Sequence, residues 1–150
     1  MLELRTVTKK IIHGLDARTD NAAEMSPDKG KIHALWQTFD ESVPVDYKSG
    51  ERVYGVYSNY ESDHTGKFTV LAGFDGKSLP ANLSLQKRVI PEAKYLVFPH
   101  KGSMPQIAID AWTEVWEYFA NPDAKYQRAY STDFEYYPGP DAVEVHIAVL

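Results

Sequence analysis

The chain has 150 residues, about the most common size of a single domain, so one architecture is expected to use nearly all of it. Its 43% hydrophobic and 25% charged residues are typical of a folded globular protein and exclude a disordered or collagen-like chain. A net charge of −5 disfavours direct nucleic-acid binding, and the lack of cysteine excludes disulfides and cysteine-ligated metals.

The first half begins with a strand predicted over residues 2–18, where polar and apolar residues alternate. A helix is predicted over about 27–42, because Ser26 and Pro27 form a typical helix start. Its apolar side is predicted to consist of Ile32, Leu35, Trp36 and Phe39. Two aromatic, β-branched segments, 52–60 and 67–74, then predict a hairpin with a long loop.

The second half follows a loop-rich connector at 75–93. A buried strand is predicted at 94–100, and Ser103 and Pro105 repeat the helix-start signal for a helix that ends near residue 119. The last two segments, 129–137 and 142–149, predict a hairpin. The order β-α-β-β therefore occurs twice.

A shift of 76 residues supports this duplication, because it superimposes aromatic and basic positions of the two halves. The matched pairs are Leu35-Trp36 with Ala111-Trp112, Arg52 with Arg128, Tyr54 with Tyr130, and Tyr60 with Tyr136. We predict an α+β fold: a tandem, pseudo-two-fold repeat of β-α-β-β units, about 1–77 and 84–150, with an antiparallel sheet and two helices around a central cleft.

Glu135 is the most informative polar residue, because it lies in the middle of an aromatic strand. Alternation places Asp133, Glu135 and Tyr137 on one face of the sheet and Phe134 on the other. The 76-residue shift pairs Glu135 with Asn59, so a carboxylate, an amide and phenols such as that of Tyr57 are expected at one cleft. Such a site suits a weakly hydrated organic cation. The alternative, a solvent-exposed Glu135 on an edge strand, is about equally compatible with the pattern.

The tryptophans have two interpretations. Trp36 and Trp112 occupy equivalent helical positions, and aromatic residues on helices usually belong to the core. Because the second helix also carries Trp116 and Phe119, a small core is not expected to hold all of these rings, and some are predicted to line the cleft. No metal-ligand spacing, nucleophile elbow or nucleotide-binding loop is present, so no metal, cofactor or catalytic residue is predicted.

The strings RTDN at 18–21, LWQTF at 35–39, YGVYSNYESDHTGKF at 54–68, IPEAKYLVFPHKG at 90–102, AWTEVW at 111–116 and DFEYY at 133–137 together resemble the GyrI-like small-molecule-binding domain. This domain is the effector-binding module of AraC-type and MerR-type regulators. The resemblance covers nearly all of the chain, so residues 1–150 are expected to form one such domain. No helix-turn-helix segment is left over, which favours a stand-alone binding protein.

The resemblance implies a tandem β-α-β-β fold that binds hydrophobic, often cationic drugs, with Glu135 as the anionic anchor and Tyr57, Tyr60, Trp112 and Phe134 as aromatic lining. Two alternatives remain open. Some GyrI-like proteins are hydrolases of electrophilic toxins, in which case Glu135 is a general base; others act on macromolecules, which implies gyrase or a transcription regulator as a partner. Binding without turnover is favoured because no second catalytic group is evident.

The expected location is the cytoplasm. The N-terminal residues are charged and offer no apolar core of a signal peptide, and no stretch approaches the roughly 18 apolar residues of a membrane span.

Overall fold

A computed structural model describes residues 2–150 and contains eight β-strands and three α-helices. The strands are β1 (Glu3–Val7), β2 (Lys10–Thr19), β3 (Val53–Ser58), β4 (Phe68–Phe74), β5 (Gln86–Ile90), β6 (Ala93–Lys101), β7 (Asp133–Gly139) and β8 (Ala142–Ala148). The helices are α1 (Asn21–Glu24), α2 (Ile32–Ser42) and α3 (Gln106–Ala120), and a single 3-10 turn spans Tyr47–Ser49.

All eight strands form one antiparallel sheet in the order β1-β6-β8-β7-β3-β4-β2-β5. Exchanging β1–β4 for β5–β8 reverses this order and leaves it otherwise unchanged, so the two halves are related by a pseudo-two-fold axis between β3 and β7. The first strand of each half pairs with the other half, β1 with β6 and β5 with β2. The predicted α+β fold and its internal repeat are therefore confirmed.

Each half contains one strand more than predicted. The single strand expected at 2–18 is two strands, β1 and β2, and the connector at 75–93 contains β5. Both additional strands lie at the edges of the sheet and have the same burial pattern, in which only the last residue, Val7 or Ile90, is buried. Because such strands present mostly polar residues, their sequences resemble loops, and they are stabilised by pairing across the two halves.

The helix predicted from residue 27 begins five residues later, at Ile32. Ser26 and Pro27 lie in the turn before it and do not cap it. The helix start is instead capped by Glu24, whose carboxylate accepts hydrogen bonds from the backbone amides of Lys31 (2.9 Å) and Ile32 (3.1 Å). A carboxylate suits this position because it satisfies the unpaired amides and the positive end of the helix dipole.

Each of the two long helices packs on the two strands of its own half that lie between the central pair and the edge of the sheet. The main contacts of α2 are with β2 and β4, and those of α3 are with β6 and β8. The central strands β3 and β7 therefore form the floor of a space between the helices. The other face of the sheet has its own apolar cluster, which includes Tyr54, Val56, Tyr95 and Phe134. The larger cavity of the fold therefore lies on the helix side of the sheet, and a smaller pocket of about 340 Å³ lies on the other side.

Candidate functional site

A cavity of about 880 Å³ lies between α2 and α3 over the two central strands. This volume falls within the range of sites for drug-sized ligands. Its wall is mainly apolar and contains many aromatic rings, among them those of Trp36, Tyr57, Tyr60, Phe68, Trp112, Trp116 and Tyr137. The ring centroids of Tyr57 and Trp112 lie 4.9 Å apart, and those of Trp36 and Tyr137 lie 5.7 Å apart, so the rings support each other.

Glu135 lies at the centre of the cavity floor, on β7, where it pairs with Gly55 of β3. It is 3% exposed, and three neutral donors hold its carboxylate. The Tyr57 hydroxyl (3.1 Å) and the Trp112 indole N–H (2.6 Å) donate to Oε2, and the Tyr137 hydroxyl donates to Oε1 (3.0 Å). The carboxylate is therefore oriented from three sides by groups that carry no charge.

Gly55 provides the space in which this carboxylate lies. A Cβ atom at position 55 would overlap with Oε1 of Glu135 and would lie 3.1 Å from Cζ2 of Trp36. The absence of a side chain on β3 therefore allows Glu135 to lie against the strand next to it.

Burial raises the pKa of Glu135, although the hydrogen bonds from Trp112, Tyr137 and Tyr57 act in the opposite direction. None of the ion pairs among residues 2–150 involves Glu135. Burial and the adjacent carboxylate hold the pKa values of Tyr57 and Tyr137 well above the usual range, so both hydroxyls remain donors. The site therefore presents an acid whose charge no basic side chain balances.

A second buried carboxylate, Asp133, lies two residues before Glu135 on the same strand. Its side chain is 0% exposed and forms an ion pair with Arg128, whose Nη2 lies 2.7 Å from Oδ2. The Tyr60 hydroxyl also donates to Oδ2, and the backbone amide of Ala148 donates to Oδ1 (2.8 Å). Arg128 and Tyr60 also line the cavity, whereas Asp133 lies behind them and holds them in place.

Six of the eight residues predicted for the site line this one cavity: Trp36, Tyr57, Tyr60, Trp112, Trp116 and Glu135. Glu135 belongs to a central strand and is buried, so the alternative of a solvent-exposed acid on an edge strand is wrong. Trp116 is 39% exposed, which places part of its ring at the mouth of the cavity.

The other two predicted residues lie elsewhere. Phe134 is on the opposite face of the sheet, as strand alternation requires, and its ring stacks on that of His146 with centroids 4.2 Å apart. Asn59 follows the end of β3 with a positive φ of 54°, and its backbone carbonyl accepts a hydrogen bond from Arg18. Both are corrections to the predicted cavity lining.

The prediction for Asn59 is wrong because one offset does not hold along the whole repeat. β3 begins at Val53 and β7 at Asp133, a separation four residues longer than the 76-residue shift. The two halves contain turns of different length, so an offset that matches Trp36 with Trp112 does not match the strands. The residue opposite Glu135 is Gly55.

Sequence reasoning missed Gly55 and Arg128 as parts of the site. Strand alternation predicts Tyr137 on the same face as Glu135, and its side chain lines the cavity and donates a hydrogen bond to that carboxylate. No sequence signal identifies Gly55 or Arg128, because their roles depend on pairing between strands and on a loop that folds back.

The part of the chain described here contains no group of three or more His, Cys, Asp or Glu side chains that could hold a metal ion. No helix within residues 2–150 is long and apolar enough to cross a membrane.

Comparison with known proteins assigns the chain to a family. The sequence model of Cass2, described as an integron-associated effector binding protein, matches residues 3–149. An integron cassette protein from the mobile metagenome of Vibrio cholerae is 43% identical, with 99% of this chain and 95% of that chain covered and a TM-score of 0.88. A search of curated protein sequences gave no match. The chain therefore belongs to the Cass2 family of integron-associated effector binding proteins.

More distant solved structures share the fold. SAV2435 bound to tetraphenylphosphonium is 17% identical, with 100% of this chain and 94% of that chain covered and a TM-score of 0.73. A putative bacterial transcription regulation protein from Staphylococcus aureus MU50 is 16% identical, with 99% and 97% covered and a TM-score of 0.70. The resemblance to the GyrI-like effector-binding domain is confirmed by these matches together with the family.

Proposed function

We propose that the cavity of this Cass2 family member binds hydrophobic organic cations and that Glu135 is their anionic anchor. The observation that carries the proposal is a buried carboxylate held only by neutral donors on the floor of an aromatic cavity. The relation to effector binding proteins, and the tetraphenylphosphonium bound to the distant structural relative SAV2435, support a small-molecule ligand.

The physical argument begins with desolvation. A carboxylate removed from water loses favourable hydration, and neutral hydrogen bonds restore only part of it. A large cation with delocalised charge is weakly hydrated, so it gives up little when it enters the cavity and supplies the counter-charge that Glu135 lacks. Binding therefore relieves an electrostatic cost that is already present in the empty protein.

The aromatic wall contributes to affinity without demanding one ligand shape. The faces of Tyr57, Trp112 and Trp36 offer cation–π attraction of about 0.5–2 kcal/mol each together with a large apolar contact area. Neither contribution depends strongly on the orientation of a ligand. We therefore expect the cavity to accept several lipophilic cations of different structure.

The test is a titration with tetraphenylphosphonium, followed by quenching of tryptophan fluorescence. Glu135→Gln is expected to lower the affinity for this cation by at least about tenfold, because a charge-assisted contact in a buried site contributes more than 1.4 kcal/mol. Binding of triphenylmethanol, a neutral molecule with similar rings, is expected to change by less than about threefold. Glu117→Gln is the matched control, because Glu117 is exposed on α3 and does not line the cavity.

Equal losses for the cation and the neutral compound would contradict the role of Glu135 as an anchor. Chromatography after incubation with electrophilic toxins tests the hydrolase alternative: catalytic amounts of product would show turnover, and unchanged compound would favour binding alone. Gyrase or a transcription regulator as a partner remains a prediction from the family resemblance.

A further inference from the structure

Arg128 is a basic residue in the wall of a cavity for which we propose cationic ligands. Its side chain is only 6% exposed, and its guanidinium lies over the rings of Tyr130 (4.4 Å to the centroid) and Tyr60 (5.7 Å). These rings and the ion pair with Asp133 hold the guanidinium plane in place. A fixed, nearly buried cation in the wall is more than a simple receptor for lipophilic cations requires.

The hydrogen bonds of Arg128 leave part of its donor capacity unused. Both bonds, to Asp133 (2.7 Å) and to the Tyr60 hydroxyl (3.4 Å), come from Nη2. Nε is enclosed by protein without a partner. Nη1 makes no hydrogen bond to any residue from 2 to 150, but it is not among the enclosed atoms, so it remains accessible on the side chain that lines the cavity.

We propose that Arg128 recognises a hydrogen-bond acceptor on the ligand, so that the ligand class is an aromatic cation carrying a neutral acceptor such as a carbonyl. This inference rests on the proposed function, because it places the cationic centre at Glu135. A guanidinium N–H that has no partner in the described part of the chain and remains accessible is free to donate to a ligand acceptor, and a charged donor makes a stronger hydrogen bond than a neutral one.

The geometry of β7 sets the spacing between the two groups. Asp133, which holds Arg128, and Glu135 lie two residues apart on the same face. A strand advances about 3.3 Å per residue, so the backbone positions that carry the two carboxylates lie about 7 Å apart, and we take this length as the scale for the test ligands. Four methylene groups between the charged atom and the carbonyl carbon give a flexible chain of similar length.

The acceptor is neutral and not anionic for an electrostatic reason. Asp133 already balances the charge of Arg128, whereas Glu135 has no basic partner. This region of the cavity is therefore net negative, and a ligand carboxylate would be repelled. A carbonyl oxygen accepts the free N–H without adding a charge.

The experiment compares two triphenylphosphonium cations with chains of equal length, one heptyl and the other a methyl pentanoate ester. The ester is the less hydrophobic of the two, so apolar burial alone would make it the weaker ligand. With a bond to Arg128, the ester is expected to bind the unmodified protein at least about fivefold more tightly than the heptyl cation. If the unmodified protein binds the heptyl cation more tightly than the ester, the proposal is wrong, and no variant is needed to show it.

Arg128→Lys tests the assignment to this side chain. The lysine retains a charge for Asp133 but lacks the forked donors, so the preference for the ester is expected to disappear while the affinity for the heptyl cation changes less than about twofold. Equal losses for both cations would show that Arg128 has only a structural role. If the lysine variant does not fold, Arg128→Gln combined with Asp133→Asn removes both charges together and makes the same comparison.

The two proposals fail in different ways. If neither cation binds, or if Glu135→Gln leaves the heptyl cation unaffected, the proposed function is wrong. If the heptyl cation binds and depends on Glu135 but the ester has no advantage that Arg128→Lys removes, only the role of Arg128 is wrong.

Discussion

Asp133 and Glu135 are two buried carboxylates on the same face of one strand, and they are balanced in opposite ways. Asp133 has a guanidinium and a backbone amide as partners, so its charge is compensated within the protein. Glu135 has two hydroxyls and an indole, none of which is charged. The proposed function uses the second of these two buried carboxylates, the one whose charge the protein leaves unbalanced.

Their positions explain this difference. Asp133 is the first residue of β7. Arg128 contacts it from the segment before this strand, and Arg128 itself forms an isolated antiparallel bridge with Val149. Glu135 lies at the centre of the sheet beside Gly55, on the cavity floor, where the only helical side chain within residues 2–150 that forms a hydrogen bond with it is the neutral indole of Trp112. We therefore expect Asp133 to act in the stability of the fold and Glu135 in the proposed ligand binding, and four predictions test this difference.

The largest expected effect is on stability. Asp133→Asn leaves Arg128 buried without a counter-charge and is expected to lower the free energy of unfolding by about 3–5 kcal/mol. Glu135→Gln removes a desolvated charge that has no basic partner and is expected to change it by less than about 1 kcal/mol. Urea denaturation measures both variants, and similar losses in the two would contradict this difference.

The next largest expected effect is a loss of ligand affinity when the space that Gly55 leaves for the carboxylate of Glu135 is filled. Gly55→Ala places a methyl group where Oε1 of Glu135 lies, so the carboxylate must move away from its three donors. Tetraphenylphosphonium affinity, measured by calorimetry, is expected to fall about tenfold, the equivalent of one displaced charge-assisted contact. Gly139→Ala is the control for an added methyl group: Gly139 also lines the cavity, but a Cβ there meets no atom closer than 3.7 Å and does not displace Glu135. Unchanged affinity in the Gly55 variant would show that the observed position of Glu135 is not needed.

The smallest effect concerns pH. Because burial raises the pKa of Glu135, protonation is expected to weaken tetraphenylphosphonium binding as the pH falls through that raised value. Trp112→Phe removes a hydrogen bond that lowers this pKa, so the midpoint is expected to move to higher pH, with about a threefold loss of affinity at neutral pH. Calorimetry across a pH series measures both, and Trp36→Phe, which removes no bond to Glu135, is the control.

Titration of Glu135 is expected to change stability and binding in opposite directions: a rise in pH strengthens the binding of the cation but weakens the folded state. In the window between the ordinary pKa of a glutamate and the raised pKa of Glu135, the folded protein binds more protons than the unfolded chain. The contribution of Glu135 to stability therefore falls as the pH rises through this window. Glu135→Gln is expected to remove this part of the pH dependence, and an unchanged slope would contradict the raised pKa.

Much of the fold could be predicted from the sequence because strong local patterns specify its larger elements. The aromatic hairpins and the apolar sides of α2 and α3 follow periods of two and 3.6 residues. β1 and β5 were missed because their polar residues face solvent at the sheet edges and their pairing partners are remote in sequence. The start of α2 was misplaced because its cap comes from the side chain of Glu24 and not from a residue next to the helix.

For the site, the amino-acid sequence by itself determined that Glu135 shares a strand face with Tyr137 and that Trp36 and Trp112 lie on the two helices. Those relations depend on local backbone geometry, which a short segment specifies. Only the tertiary structure decided that Gly55 lies opposite Glu135, that Arg128 balances Asp133, and that the cavity between the helices remains open. These depend on contacts between distant segments, whose register is set by packing across the whole sheet.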